Sequence, residues 1–112
     1  EFPYPGTRVV VMSRSRGGTR DEFAEFRDEP LADVVSELRD QSAGDLWLVG
    51  GGELVAGCLE QALIDELRIF VHPVLIGRGI PLFPPVEMRT SLQLTSTQAF
   101  PSGLVELRYV RQ

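Results

Sequence analysis

The apolar residues of this chain gather in short runs that are bounded by charged or turn-forming residues. Residues 8–13 have a β-branched centre, and residues 67–72 form a similar run that ends before a proline. Residues 46–49 are four consecutive apolar residues between a charge and three glycines. Runs of this length are too short for helices, and unbroken apolarity is typical of strands buried on both faces. The pattern therefore predicts three strands, with the central one at residues 46–49.

Helices are indicated where apolar residues recur every three or four positions. One such stripe predicts a helix from Pro30 to about Gln41, and a second predicts a helix from about Glu53 to Leu63. Strand, helix and strand in this order give a right-handed crossover and therefore a parallel sheet.

The last third of the chain has a different pattern. Residues 91–99 alternate between apolar and polar, and a Pro-Ser-Gly turn leads into residues 104–110, which predicts an antiparallel hairpin. Residues 22–27 are predicted to form a short edge strand, and residues 74–81 a glycine-containing loop that could cover a pocket. We expect an α/β fold with a mostly parallel central sheet and a C-terminal antiparallel hairpin.

Composition narrows the class of protein. The chain has 112 residues, of which 43% are hydrophobic and 24% charged, so residues 1–112 should form one globular domain. The net charge of −5 argues against a nucleic-acid partner. A single cysteine, Cys58, excludes an intrachain disulfide and fits a reducing compartment. With no signal-peptide pattern and no apolar run long enough to span a membrane, we expect a cytoplasmic protein without a membrane partner.

The three glycines at residues 50–52 lie where the central strand meets the second predicted helix. Unpaired N–H groups in the first helical turn attract anions, and residues without Cβ let a phosphate approach the main chain. The sequence does not fit the G-x-G-x-x-G fingerprint or the phosphate loop. A steric role in a tight strand-to-helix connection is therefore an equally good interpretation.

Ser13 and Arg14 follow the first predicted strand. Ligands of open α/β sheets bind at this end of strands, and a planar guanidinium suits a phosphate monoester. Three further arginines lie in the first twenty residues, opposed only by Glu1: Arg8, Arg16 and Arg20. Such a basic cluster could receive an anionic ligand, although for at least two of the four arginines a solvated edge is the simpler interpretation.

Side chains capable of covalent or acid–base catalysis are scarce. His72 is the only histidine, no lysine is present, and no spacing indicates a metal site. Asp65 and Glu66 are more simply a solvated turn than a catalytic pair. We therefore assign no catalytic residue. A chain so poor in chemistry of its own suits a reaction whose reactive group belongs to a cofactor, such as hydride transfer.

Three blocks of sequence resemble the C-terminal reductase domain of bacterial bifunctional riboflavin-biosynthesis deaminase-reductases, which is a relative of dihydrofolate reductase. The blocks are residues 10–15, 48–54 and 65–83, and they occur in the family's order. Residues 102–109 resemble the last strand of that domain, so the likeness runs through nearly the whole chain.

The resemblance implies a dihydrofolate-reductase-like three-layer α/β fold that uses NADPH. In such proteins the Ser-Arg pair after the first strand holds the adenosine 2′-phosphate. The glycine turn holds the pyrophosphate, often through a cis Gly–Gly peptide, which corresponds to Gly50 and Gly51. The predicted cofactor-binding residues are Ser13, Arg14, Ser15, Val49, Gly50, Gly51, Gly52, Glu53 and Leu54.

The family's members begin with a further segment that carries a central strand, a helix, another strand and most substrate-facing residues. This chain starts after that segment, so we expect the N-terminal strands of the fold to be missing. A sheet with such a gap exposes backbone edges that favour association, and we therefore predict a homodimer.

The resemblance leads to one main functional hypothesis and two alternatives. The main hypothesis is an NADPH-dependent reductase of the 5-amino-6-(5-phosphoribosylamino)uracil reductase type, which transfers hydride to a small pyrimidine- or pteridine-like substrate. The first alternative is a catalytically silent fragment that binds nucleotide or mediates oligomerisation. The second is a dihydrofolate reductase, which residues 73–83 favour less.

Overall fold

The computed structural model describes Tyr4 and residues 6–49, 51–87 and 89–112. These residues fall into two compact units, one ending at Val49 and the other following it. The first unit contains β1 (Val10–Met12), β2 (Glu25–Arg27) and α1 (Leu31–Gln41). The second contains α2 (Gly52–Glu60), β3 (Glu66–Val71), β4 (Leu92–Ala99) and β5 (Val105–Arg111).

In the first unit, β1 and β2 pair in parallel, with Val11 opposite Phe26. Parallel neighbours need a crossover connection, and residues 13–24 supply it without a helix. This connection folds back along the other edge of β2. The N–H of Gly18 donates to the Phe26 carbonyl at 2.9 Å, and the N–H of Phe26 donates to the Thr19 carbonyl at 2.9 Å. The predicted edge strand is therefore confirmed as β2, which is shorter than expected.

The first predicted helix is confirmed as α1. Pro30 occupies its N-cap position, where a missing N–H costs nothing, and Ser42 ends the helix. The apolar stripe faces inward, and Val34 on it is only 2% exposed. This stripe supplies the small apolar core of the first unit.

An ionic cluster joins α1 to β2. Nη1 of Arg27 donates to Oε2 of Glu37 at 2.6 Å, and the same guanidinium also donates to Glu29. The hydrogen bond from Arg27 is the main cause that lowers the pKa of Glu29 to about 2, and it lowers the pKa of Glu37 as well. Both carboxylates therefore stay ionised well below neutral pH, and the contact of Glu37 with Arg27 joins α1 to β2.

The prediction of a strand at residues 46–49 is wrong. Among the described residues this segment pairs with no strand, and Trp47 is 76% exposed, with its ring edge-on to Tyr4. The parallel partner of β1 is β2, so the predicted crossover through α1 to a central strand is not formed. An apolar run indicates that a segment has two faces to bury, but a strand also needs hydrogen-bonding neighbours, which the run does not specify.

The second predicted helix is confirmed as α2, with an earlier end. Its chain turns at Ala62, which adopts a left-handed conformation with φ of 55°. The N–H of Leu63 then donates to the Cys58 carbonyl at 2.9 Å, which closes the end of the helix. Cys58 is 4% exposed and serves as a small core residue of the second unit.

The second unit's sheet has the order β3-β5-β4, and both pairs of strands are antiparallel. The predicted C-terminal hairpin of β4 and β5 is confirmed, and its turn places Gly103 at φ of 94°. The predicted mixture of parallel and antiparallel strands is thus present in an α/β chain. The sheet was predicted to be mostly parallel, but among the described residues only β1 and β2 pair in parallel.

Residues 72–91 contain no helix or strand in their described part, and the loop predicted at residues 74–81 lies within them. Leu75 and Ile80 in this loop are fully or almost fully exposed. The predicted homodimer stays a prediction, which the mass in solution by light scattering would check. Within the described ranges, no helix combines the length and apolarity that crossing a membrane requires.

Candidate functional site

The loop that follows β1 is a tight turn built on Ser13. The N–H of Ser13 donates to the Arg27 carbonyl at 2.8 Å, and its Oγ accepts the N–H of Arg16 at 3.2 Å. The N–H of Thr19 then donates to the Arg16 carbonyl at 3.1 Å. A hydroxyl that accepts a hydrogen bond still carries its own O–H proton, so Oγ of Ser13 is also capable of donating to an anion.

Arg16 is held by two other side chains of the same unit. The carbon centre of its guanidinium lies 3.8 Å from the centroid of the Phe26 ring, a cation–π contact. Its Nη2 lies 3.8 Å from Oδ2 of Asp21. The other oxygen, Oδ1 of Asp21, accepts the N–H of Phe23 at 2.8 Å and that of Ala24 at 2.9 Å. These backbone hydrogen bonds lower the pKa of Asp21, so its carboxylate remains charged beside Arg16.

The other basic residues of this region have different surroundings. Arg8 donates to Oε1 of Gln41 and to Oε1 of Glu25, each at 2.7 Å, and so ties the strand region to the end of α1. Its role is structural, which neither the anion-binding nor the solvated-edge interpretation of the cluster predicted. Arg14 and Arg20 are exposed, and Arg14 directly follows the Ser13 hydroxyl.

The second half of the predicted site is the start of α2. Gly51 is the N-cap residue, with φ of −72° and ψ of 174°, and its carbonyl accepts the N–H of Val55 at 3.2 Å. A glycine supplies no capping oxygen, and a Cβ built on Gly51 would meet no atom within 4 Å. Space for an anion therefore exists beside the main chain, where the helix dipole favours negative charge. Gly50, and with it the predicted cis peptide, lies outside the described residues.

The predicted cofactor-binding residues are divided between the two units. Ser13, Arg14, Ser15 and Val49 belong to the first, and Gly51, Gly52, Glu53 and Leu54 belong to the second. Each part has a geometry that can bind an anion. That both bind one dinucleotide stays a prediction.

Sequence reasoning missed two residues of this loop. Phe26 lies in the predicted edge strand and was given no part in the site, and Asp21 was not singled out, yet both contact Arg16. Asp favours turns in which its carboxylate accepts nearby backbone N–H groups, so Asp21 carried a signal that could have been used. The contact of Arg16 with Phe26 depends on how the connection between β1 and β2 folds, so the local sequence does not indicate it.

A small cleft of about 320 Å³ lies elsewhere in the second unit, between the end of α2 and the starts of β3 and β4. Arg111 borders it and donates to the Ala62 carbonyl at the end of α2. Its guanidinium is thus occupied in closing the helix. Of the predicted site residues that the structure describes, none lines this cleft.

Comparison with known proteins places this chain in a family. The pattern that defines the RibD C-terminal domain matches residues 6–106. Uncharacterized protein YyaP of Bacillus subtilis is 36% identical over 102 residues, which are 91% of this chain and 54% of YyaP. The 2,5-diamino-6-ribosylamino-4(3H)-pyrimidinone 5′-phosphate reductase of Archaeoglobus fulgidus is 36% identical over 55 residues, 49% of this chain and 25% of that protein.

A solved structure has the same fold. The putative riboflavin biosynthesis protein of Shewanella sp. PV-4 superimposes with a TM-score of 0.85 at 25% sequence identity, covering all of this chain and 64% of that one. The chain therefore has the α/β fold of RibD-like reductases and belongs to the RibD C-terminal domain family. The resemblance stated from the sequence is confirmed. The chain spans less than two thirds of the length of these relatives.

Proposed function

We propose that this chain is an NADPH-dependent reductase of the riboflavin-biosynthesis type, acting on a small pyrimidine- or pteridine-like substrate. The observation that carries the proposal is the Ser13 turn, in which Oγ of Ser13 accepts the N–H of Arg16 and the exposed Arg14 directly follows Ser13. Membership of the RibD C-terminal domain family and the reductase name of the Archaeoglobus relative support it.

The residues fit the dinucleotide that the family implies. Ser13 and Arg14 would hold the 2′-phosphate, since a hydroxyl donor and a planar cation together match a phosphate monoester. Gly51, with Gly52 and the following main chain, would hold the pyrophosphate, because the space beside Gly51 is open. The bound NADPH supplies the hydride, and the work of this chain is to bind and orient the cofactor beside the substrate.

A second candidate is a domain that binds NADPH without turning it over. It is a candidate because we assign no catalytic residue in this chain, which has one histidine and no lysine. Steady oxidation of NADPH with a pyrimidine substrate supports the reductase. Saturable binding without oxidation supports the binding domain.

The proposal is tested by measuring the dissociation constants of NADPH and NADH with Arg14→Ala. Loss of a charged hydrogen bond to the 2′-phosphate should weaken NADPH binding about tenfold to a hundredfold, while NADH, which lacks that phosphate, should change little. Arg20→Ala is the matched control, since it removes an equal charge from the same connection. Equal losses for both cofactors with Arg14→Ala, or no binding of either by the unaltered chain, would contradict the proposal.

A further inference from the structure

Arg16 is the arginine of the Ser13 turn whose surroundings are most fully determined. Phe26 lies against its guanidinium at 3.8 Å, and the Asp21 carboxylate lies beside it at the same distance. The backbone N–H of Arg16 is fixed by Oγ of Ser13 at 3.2 Å. A flexible side chain is thus restrained at both ends, which reduces the entropy that binding a ligand would cost. The residue nevertheless remains exposed, so part of its surface is open to solvent.

The charges around Arg16 decide which part of a nucleotide suits it. A phosphate placed on this guanidinium would also approach the charged Asp21 carboxylate, and like charges repel. A neutral aromatic base meets no such penalty. Planar guanidinium groups stack on aromatic rings, and a base stacks well on a flat cation. One face of the Arg16 guanidinium lies on Phe26, and the side chain as a whole is 54% exposed.

The position of Arg16 on the turn fits one base in particular. In NADPH the adenine and the 2′-phosphate are attached to the same ribose, so their binding groups must be close together. Arg16 meets this condition because its backbone is hydrogen-bonded to the Ser13 hydroxyl, which is proposed to hold the 2′-phosphate.

We propose that Arg16, backed by Phe26, is the platform on which the adenine base of the dinucleotide stacks. The proposal rests on the proposed function, because it takes the 2′-phosphate site at Ser13 and Arg14 as given. It assigns different tasks to neighbouring arginines: Arg14 selects for the 2′-phosphate, and Arg16 binds the base that NADPH and NADH share.

The experiment measures the dissociation constants of NADPH and NADH for the unaltered chain and three variants. Arg16→Ala should weaken both cofactors by the same factor, about fivefold to tenfold, because both carry adenine. Arg16→Lys keeps the charge but not the plane, so it should recover little of the loss. Arg20→Ala removes an equal charge at a position where no base is proposed to stack, so it should change both dissociation constants less than twofold.

A fourth variant separates stacking of the base on Arg16 from a purely structural role of this side chain. Phe26→Leu keeps an apolar side chain under Arg16 but removes the ring, so it should weaken both cofactors by a smaller common factor. Urea unfolding of each variant reports whether the fold itself is weakened. Loss of affinity in Arg16→Ala with an unchanged unfolding midpoint supports the platform.

The outcomes distinguish the adenine platform from the proposed NADPH-dependent function on which it rests. If the unaltered chain binds NADPH and Arg16→Ala binds both cofactors as well as before, the platform is refuted and the proposed function stands. A loss confined to NADPH would make Arg16 a phosphate ligand, and full recovery by Arg16→Lys would make it a simple charge. Either result overturns the platform. Failure of the unaltered chain to bind any dinucleotide overturns both proposals.

Discussion

Gly17 follows the proposed adenine platform, and the space beside its Cα is already occupied. A Cβ built on Gly17 would lie 2.1 Å from Cγ of Asp28 and 2.5 Å from Cβ of Asp28. Carbon atoms in contact are normally about 3.5–4.0 Å apart. Rotation of the Asp28 side chain can move its Cγ but not its Cβ, so the main chain of the loop has to shift. We therefore expect Gly17→Ala to distort the Ser13 turn.

The size of the effect follows from this overlap. Overpacking that forces the backbone to move typically costs about 1–3 kcal/mol, and an overlap with a Cβ belongs to the upper part of that range. Gly44→Ala is the matched control in the same unit, because a Cβ there meets no atom within 4 Å and the glycine has no left-handed conformation. It should change the free energy of unfolding by no more than about 0.5 kcal/mol.

Urea unfolding followed by the fluorescence of Trp47, the only tryptophan, measures both variants. Asp28→Gly removes the side chain that a new Cβ would strike, so combining it with Gly17→Ala should recover most of the lost stability. A double-mutant cycle gives this coupling directly. The reasoning is refuted if Gly17→Ala unfolds at the same urea concentration as Gly44→Ala, or if the Asp28 change gives no recovery.

Three further predictions concern stability and reactivity. Ala62→Gly should raise the unfolding free energy by about 1 kcal/mol in urea titrations, because glycine adopts the left-handed conformation of this residue without strain. The pKa of Glu29 is lowered from 4.5 to about 2, so its stabilising effect is present above the unfolded pKa and is lost as pH falls from about 4.5 towards 2. Urea midpoints over that range should fall less in Arg27→Gln. Burial raises the pKa of Cys58, so a thiol reagent at pH 8 should react far more slowly before unfolding than after it.

Hydrophobic periodicity correctly predicted the helices and strands whose buried face is specified by their own residues. The stripe of α1 and the alternation of β4 each specify a face, and both elements form where they were expected. The segment at residues 46–49 differs because pairing depends on neighbours that are distant in sequence. The same limit explains β1, whose partner is β2 after a long connection instead of a strand beyond α1.

The site could be predicted to the extent that its residues are consecutive. Ser13 and Arg14 were singled out from their place after a strand, and the turn at Ser13 gives that prediction a geometry. Gly51 was singled out from its place before a helix, and it is the N-cap of α2. The contact of Arg16 with Phe26 was missed, because it depends on a connection that folds back along β2.

We propose that the Ser13 turn and the start of α2 both bind the dinucleotide. Backbone amide resonances recorded by NMR during a titration with NADPH test it most directly. We predict that the amides of Ser13, Arg14, Gly51 and Gly52 shift together and saturate with one dissociation constant. Shifts confined to one of the two segments, or no saturable shift in either, would contradict the account.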